Sequence, residues 1–175
     1  TSGLGKMMAL ALAKAGAFVW IASSRDNADE TLKELNDQGS EGRFIQVDVT
    51  SSEALENVVS LIHQESNQID ILVNAAGINL RTSAEDLTLD EWQKTIDINL
   101  TAPFYLSQLV ADSMRKNNWG RIINIASLQS LRAFDNSIPY GASKGGVMQL
   151  TRALAQAYSK DGVLVNAIAP GFFRT

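Results

Sequence analysis

Arg121-Ile122-Ile123-Asn124-Ile125 is a short run of strand-forming residues set between two helix-length stretches, Leu89 to Asn117 and Pro139 to Ser159. The unit repeats in both directions along the chain. Strand-like runs read at Ala17 to Ala22, Arg43 to Val47, Ile69 to Val73 and Val163 to Ile168. Helical stretches read at Lys6 to Lys14, Ala28 to Asn36 and Ser52 to Glu65. Thr50-Ser51-Ser52-Glu53 has the spacing of a capping box opening the last of these. The strand runs are rich in Val and Ile, and several are apolar on both faces. Strands covered by helices on both sides of a parallel sheet have that composition. Alternation of this kind predicts βαβ units and a doubly wound α/β sheet. No repeat, low-complexity tract or linker divides residues 1–175, so a single domain is expected.

Composition excludes several classes of function. The 175 residues are 45% hydrophobic with a net charge of -4, and the pI near 5.0 gives no electrostatic footprint for nucleic acid. Without cysteine, disulfide scaffolds, thiol chemistry and thiolate metal sites are ruled out. A lone histidine, His63, sits in the polar stretch Ile62-His63-Gln64-Glu65 and reads as a solvated surface residue. Multi-histidine metal sites are thereby excluded, and no metal is expected. No apolar run has the length of a membrane span and no secretory signal pattern is present, so a soluble cytoplasmic protein is expected.

Two short motifs carry chemistry. Thr1-Ser2-Gly3-Leu4-Gly5 runs directly into a helical stretch. Glycines two apart at a helix N-terminus let a phosphate approach the backbone, where exposed N–H groups and the helix dipole favour an anion. Tyr140-Gly141-Ala142-Ser143-Lys144 follows Ser127 by thirteen residues. On a helix, positions i and i+4 share a face. The Lys144 ammonium beside the Tyr140 phenol would favour phenolate, lowering a tyrosine pKa from about 10 toward neutrality. Such a tyrosine can give and take a proton. Alone, the pair is more often ordinary amphipathic packing.

Taken in order, these motifs resemble the short-chain dehydrogenase/reductase family along essentially the whole chain, which implies a Rossmann-type fold. Ser2, Gly3, Leu4 and Gly5 look like the second half of its glycine-rich cofactor loop. Asp48 and Val49 match its adenine-side pair, and Asn74-Ala75-Ala76-Gly77 resembles its Asn-Asn-Ala-Gly signature with Ala75 in place of the second Asn. Asn99, Ser127, Tyr140 and Lys144 fall on the family's catalytic tetrad. Pro170, Gly171 and Thr175 resemble the segment that holds the nicotinamide carboxamide. The resemblance implies that Tyr140 is the general acid or base and that Ser127 bonds the substrate oxygen. It implies further that Lys144 supports Tyr140 and the nicotinamide ribose, and that Asn99 holds a water relaying protons to Lys144.

Cofactor choice turns on Ser23-Ser24-Arg25 at the end of the second strand. An acidic residue there would bond the ribose 2′-hydroxyl of NAD; two hydroxyls and a guanidinium suit the extra phosphate of NADP instead. For substrate, Ala-Gly-Ile-Asn-Leu-Arg, Asn-Ile-Ala-Ser-Leu-Gln-Ser and Ala-Pro-Gly-Phe-Phe look most like the sugar-acid and polyol dehydrogenases, such as gluconate 5-dehydrogenase. Arg81 and Arg132 lie on loops where an arginine would suit a carboxylate. A 3-oxoacyl-[acyl-carrier-protein] reductase shares every motif, and a dinucleotide-binding sensor is the non-enzyme alternative. The apolar surface of the two long helices suggests a homodimer or homotetramer. The family pattern also leads us to expect a partial sequence, lacking the first strand and the C-terminal lid and last strand.

Overall fold

A computed structural model describes residues 3–172 of the protein, which divide into two compact units meeting within α3, at residues 58 and 59. In the first unit, α1 (Gly3–Lys14) leads to β1 (Val19–Ser23), α2 (Asp29–Asp37) and β2 (Gly42–Gln46). β1 and β2 pair in parallel, from Val19 opposite Gly42 to Ser23 opposite Gln46. Parallel neighbours need a crossover, which α2 provides. Ala13, Val19, Ile21, Ala28 and Leu35 form the core, with Leu10, Leu32 and Phe44 packed around it. Gly42 is required by this packing. A Cβ there would lie 2.8 Å from the Val19 carbonyl oxygen and 2.9 Å from Leu35 Cδ1.

Helix α3 (Ser52–Ser66) does not open on the expected capping box. Ser51 Oγ accepts from the Ala54 N–H at 3.2 Å, while Thr50 donates its N–H and hydroxyl to Asp48 Oδ1 at 2.9 and 2.8 Å. Asp48 competes for Thr50, and the cap moves one residue along.

The second unit continues with β3 (Ile71–Asn74), α4 (Leu89–Ile96), α5 (Ala102–Lys116), β4 (Gly120–Ile125), α6 (Ile138–Tyr158) and β5 (Val163–Ile168). Its strands run parallel in the order β3-β4-β5, with Ile71 opposite Arg121 and Ile122 opposite Val165. Val110 and Met114 of α5 meet Ile122, Val163 and Val165 of the sheet and Leu154 of α6. Removing this much aliphatic surface from water is the main stabilising contribution here, at roughly 25 cal/mol per Å².

One expectation changes. The stretch Leu89 to Asn117 is not one regular helix: α4 passes through a π-helical turn, Asp97–Thr101, into α5. Pro103 has no N–H to give the carbonyl four residues back, that of Asn99, so the ladder resets there. Thr88 and Glu91 form a reciprocal capping box at the start of α4. The described strands form two parallel sheets, β1-β2 and β3-β4-β5. Among the described residues, no helix is long and apolar enough to cross a membrane.

Candidate active site

Lys144 is the best-defined of the candidate side chains. It lies in the second turn of α6 at 4% exposure, and its Nζ donates to the Ile125 carbonyl at 2.6 Å, where β4 ends. The same nitrogen stands 5.7 Å from the centroid of the Tyr140 ring, as the i, i+4 spacing predicts. Burial lowers the Lys144 pKa to about 8. A buried ammonium is disfavoured because protein solvates it less well than water. The buried ammonium therefore gives up its proton more readily than an exposed lysine does.

Ser127 follows β4 in extended backbone (φ -161°, ψ 162°) and caps the 3-10 turn Leu128–Ser130. Its Oγ accepts from the Gln129 N–H at 3.1 Å, which leaves its own hydrogen to be donated. Its N–H donates to Ser130 Oγ at 3.2 Å, and Ser130 in turn donates to the Lys144 carbonyl at 2.7 Å. Ser130 thus ties the Ser127 loop to the helix that carries Tyr140 and Lys144.

Asn99 is fully buried within the π-helical turn. Its Oδ1 accepts from the Ile78 N–H at 2.8 Å, and its Nδ2 donates to the Ile78 carbonyl at 2.9 Å and to Ser143 Oγ at 3.0 Å. The side chain therefore clamps the loop after β3 against α6. Its backbone carbonyl has lost the helical donor that Pro103 lacks, which suits a bound water. Gly77 sits directly above: a Cβ there would lie 3.4 Å from Asn99 Oδ1 and 3.6 Å from Lys144 Nζ.

Asn74 ends β3. Its buried amide turns into the core, where Nδ2 donates to Asn124 Oδ1 at 2.8 Å and to Ser107 Oγ at 3.3 Å. Asn124 Nδ2 continues to Thr151 Oγ1 at 2.9 Å. The polar ladder joins α5, β3, β4 and α6, leaving Ala75, Ala76 and Gly77 as the exposed part of the motif. Sequence reasoning also missed Ser130 and Ser143. For Asn124 the signal was available: an amide among isoleucines in a buried strand must find partners.

The first unit holds the remaining cofactor-side candidates. Helix α1 already begins at Gly3, whose φ is +56°, so Gly3, Leu4 and Gly5 form its first turn. Ser23 ends β1 and its Oγ accepts from the Arg25 N–H at 3.2 Å. Ser24 and Arg25 line a cavity of about 530 Å³ together with Asp26, Asn27, Glu30 and Thr31. Thr31 Oγ1 is buried without a partner. Asp48 is exposed and Val49 half-buried at the end of the next loop. In the second unit, Pro170 accepts from the Leu128 N–H at 3.1 Å, and Pro170 and Gly171 border a small cavity with Ser127. Ser2 and Thr175 lie outside the described residues.

The sequence profile of short chain dehydrogenases matches residues 1–175. The chain is 38% identical to 2-dehydro-3-deoxy-D-gluconate 5-dehydrogenase of Bacillus subtilis, over 99% of this chain and 68% of that protein. It is 37% identical to 3-oxoacyl-[acyl-carrier-protein] reductase of Synechocystis, over 99% and 71%. Identity to NAD-dependent glycerol dehydrogenase of Listeria innocua is 36%, over 97% and 66%. Among solved structures, a metagenomic short-chain oxidoreductase in complex with NADP superposes at TM-score 0.93 and 28% identity, over 98% of this chain and 78% of that one. The chain spans about two thirds of the length of these curated relatives. A match running the whole length of the sequence, with relatives more than a third identical, places the chain in the short-chain dehydrogenase family of oxidoreductases.

Proposed function

We propose that the protein carrying this chain interconverts an alcohol and a ketone on a small polyhydroxylated substrate, a sugar acid or polyol, as a gluconate 5-dehydrogenase does. The observation that carries this reading is the buried Lys144, held by Ile125 and facing the Tyr140 ring. Tyr140 gives the substrate oxygen its proton in reduction and takes it in oxidation. Ser127 donates its free hydroxyl hydrogen to the same oxygen and stabilises charge developing there. Lys144 passes protons between Tyr140 and a water on the Asn99 carbonyl. Retention of both Tyr140 and Lys144 favours an enzyme over a dinucleotide-binding sensor.

The residues present fit a nicotinamide dinucleotide, which supplies or accepts the hydride when bound. The first turn of α1, with Gly3 at positive φ, would hold the pyrophosphate. Gly77 keeps the space over Lys144 open. The orphaned Thr31 hydroxyl lines the cavity of Ser24 and Arg25, where no acidic residue occupies position 23. We favour NADP there over NAD, with Asp26 and Glu30 in the same lining opposing it.

Tyr140→Phe tests the reading. Turnover should fall by about 10²-fold or more, the usual worth of a positioned proton donor, while dinucleotide affinity stays near wild type. Near-normal turnover would overturn the assignment. Identity to the Synechocystis reductase supports a second reading, 3-oxoacyl reduction; comparing kcat/KM for a 3-oxoacyl thioester and D-gluconate separates the two. A homodimer or homotetramer is the assembly we propose, because Phe104 on α5 is 42% exposed. Light scattering of the purified protein checks it.

A further inference from the structure

Among the described residues, three buried amide oxygens of the second unit have no hydrogen-bond partner: Asn74 Oδ1, in the core ladder, and Asn79 Oδ1 and Gln129 Oε1. The last two follow the C-terminal ends of β3 and β4, where ligands of parallel α/β sheets bind. Gln129 is the more telling. It lies two residues after Ser127 in the 3-10 turn, and both border the same cavity with Phe134, Pro170 and Phe172. That cavity is about 50 Å³, ample for a group of hydroxyl size, since a water needs only about 10–15 Å³. The Gln129 oxygen also lies against Gly141, beside Tyr140: a Cβ on Gly141 would stand 3.8 Å from it.

A buried carbonyl without a partner is a standing cost, rare enough in native proteins to call for a reason. A bound ligand supplies one. Because the amide holds no bond in the free chain, turning it to a ligand in the adjoining cavity breaks nothing. We infer that Gln129 is a specificity-determining residue that accepts a hydrogen bond from a hydroxyl on the carbon next to the reacting one. The inference rests on the function proposed above and narrows its substrate to a vicinal diol or α-hydroxy ketone. An orphaned acceptor gains nothing from a methylene. The carbons flanking the ketone of a 3-oxoacyl chain offer no donor.

The test compares hydroxyacetone with acetone, a pair differing only in the neighbouring hydroxyl, using the full-length protein with its reduced dinucleotide. In Gln129→Leu and Gln129→Met, kcat/KM for hydroxyacetone should fall by about tenfold or more, as expected when a polar site loses its pairing group. The value for acetone should change by less than about twofold, since acetone never made that bond. Dinucleotide affinity should hold, and Tm should not fall, because the substitutions remove an unsatisfied group. Equal losses on both ketones, an unchanged ratio, or a lowered Tm accompanied by loss on both would overturn the inference. A wild-type protein that prefers neither ketone overturns it too, while leaving alcohol–ketone interconversion standing. Inactivity toward both ketones and D-gluconate removes the underlying reading and the inference with it.

Discussion

Lys144 Nζ donates to the carbonyl of Ile125 at 2.6 Å, so the last residue of β4 fixes the ammonium of α6. The bond holds a charge that its surroundings disfavour, for burial brings the Lys144 pKa from 10.5 to about 8. Between those two values the unfolded chain binds the extra proton and the folded chain does not. Stability should therefore rise with pH across that window and be constant in this respect below it. Against Lys144→Met, which titrates in neither state, the wild type should gain about 3 kcal/mol between pH 8 and 10.5. Urea unfolding midpoints at intervals of pH measure the gap. A gap that stays flat would remove the buried-ammonium account.

Ser130 touches neither substrate nor proton in the proposed chemistry, but it links Ser127 to Lys144. Ser130→Ala should lower kcat by about tenfold with little change in KM, as loss of orientation does. It should also cost about 1 kcal/mol of stability, from the Ser127 N–H left unpaired. Ser130→Thr, which keeps the hydroxyl, should restore most of the rate. If the alanine variant loses stability without any change in kcat, the link is structural only.

In the proposed cofactor site, Ser23 takes the place of the acid that would select NAD. Ser23→Asp places a carboxylate beside the Arg25 backbone and the cavity of Ser24 and Arg25. The variant should lower kcat/KM for NADP by about tenfold or more through like-charge repulsion, with NAD little affected. Steady-state kinetics with both dinucleotides decide the matter. An unchanged ratio would locate the 2′-phosphate elsewhere.

How much of this was legible beforehand depends on how local each cause is. Most of the described strands and helices announce themselves through apolar runs and helical periodicity, and most fall within a residue or two of their expected limits. Tyr140 and Lys144 are equally local, four residues apart on one helix. The π-helical turn was within reach through Pro103, whose missing N–H falls opposite Asn99. Competition between Thr50 and Ser51 for the cap was harder to see, because Asp48 had first to be placed. The inward turn of Asn74 was not visible at all: its partners Ser107 and Asn124 lie 33 and 50 residues away. Sheet pairing has the same non-local character, and so has the emptiness around Gln129.

The amide ladder inside the second unit has a further consequence. Asn74 and Asn124 are direct partners in the pairing of β3 with β4. Backbone hydrogen bonds alone would tolerate a slip of these strands by two residues, since the same faces would stay buried. The amides would not: a slip breaks the bond from Asn74 Nδ2 to Asn124 Oδ1 and leaves that buried oxygen without a donor. The ladder is thus a proofreading device for strand alignment. It sets the loop of Gly77 level with the loop of Ser127 before any ligand arrives, so a misaligned molecule is penalised in folding and silent in catalysis for the same reason.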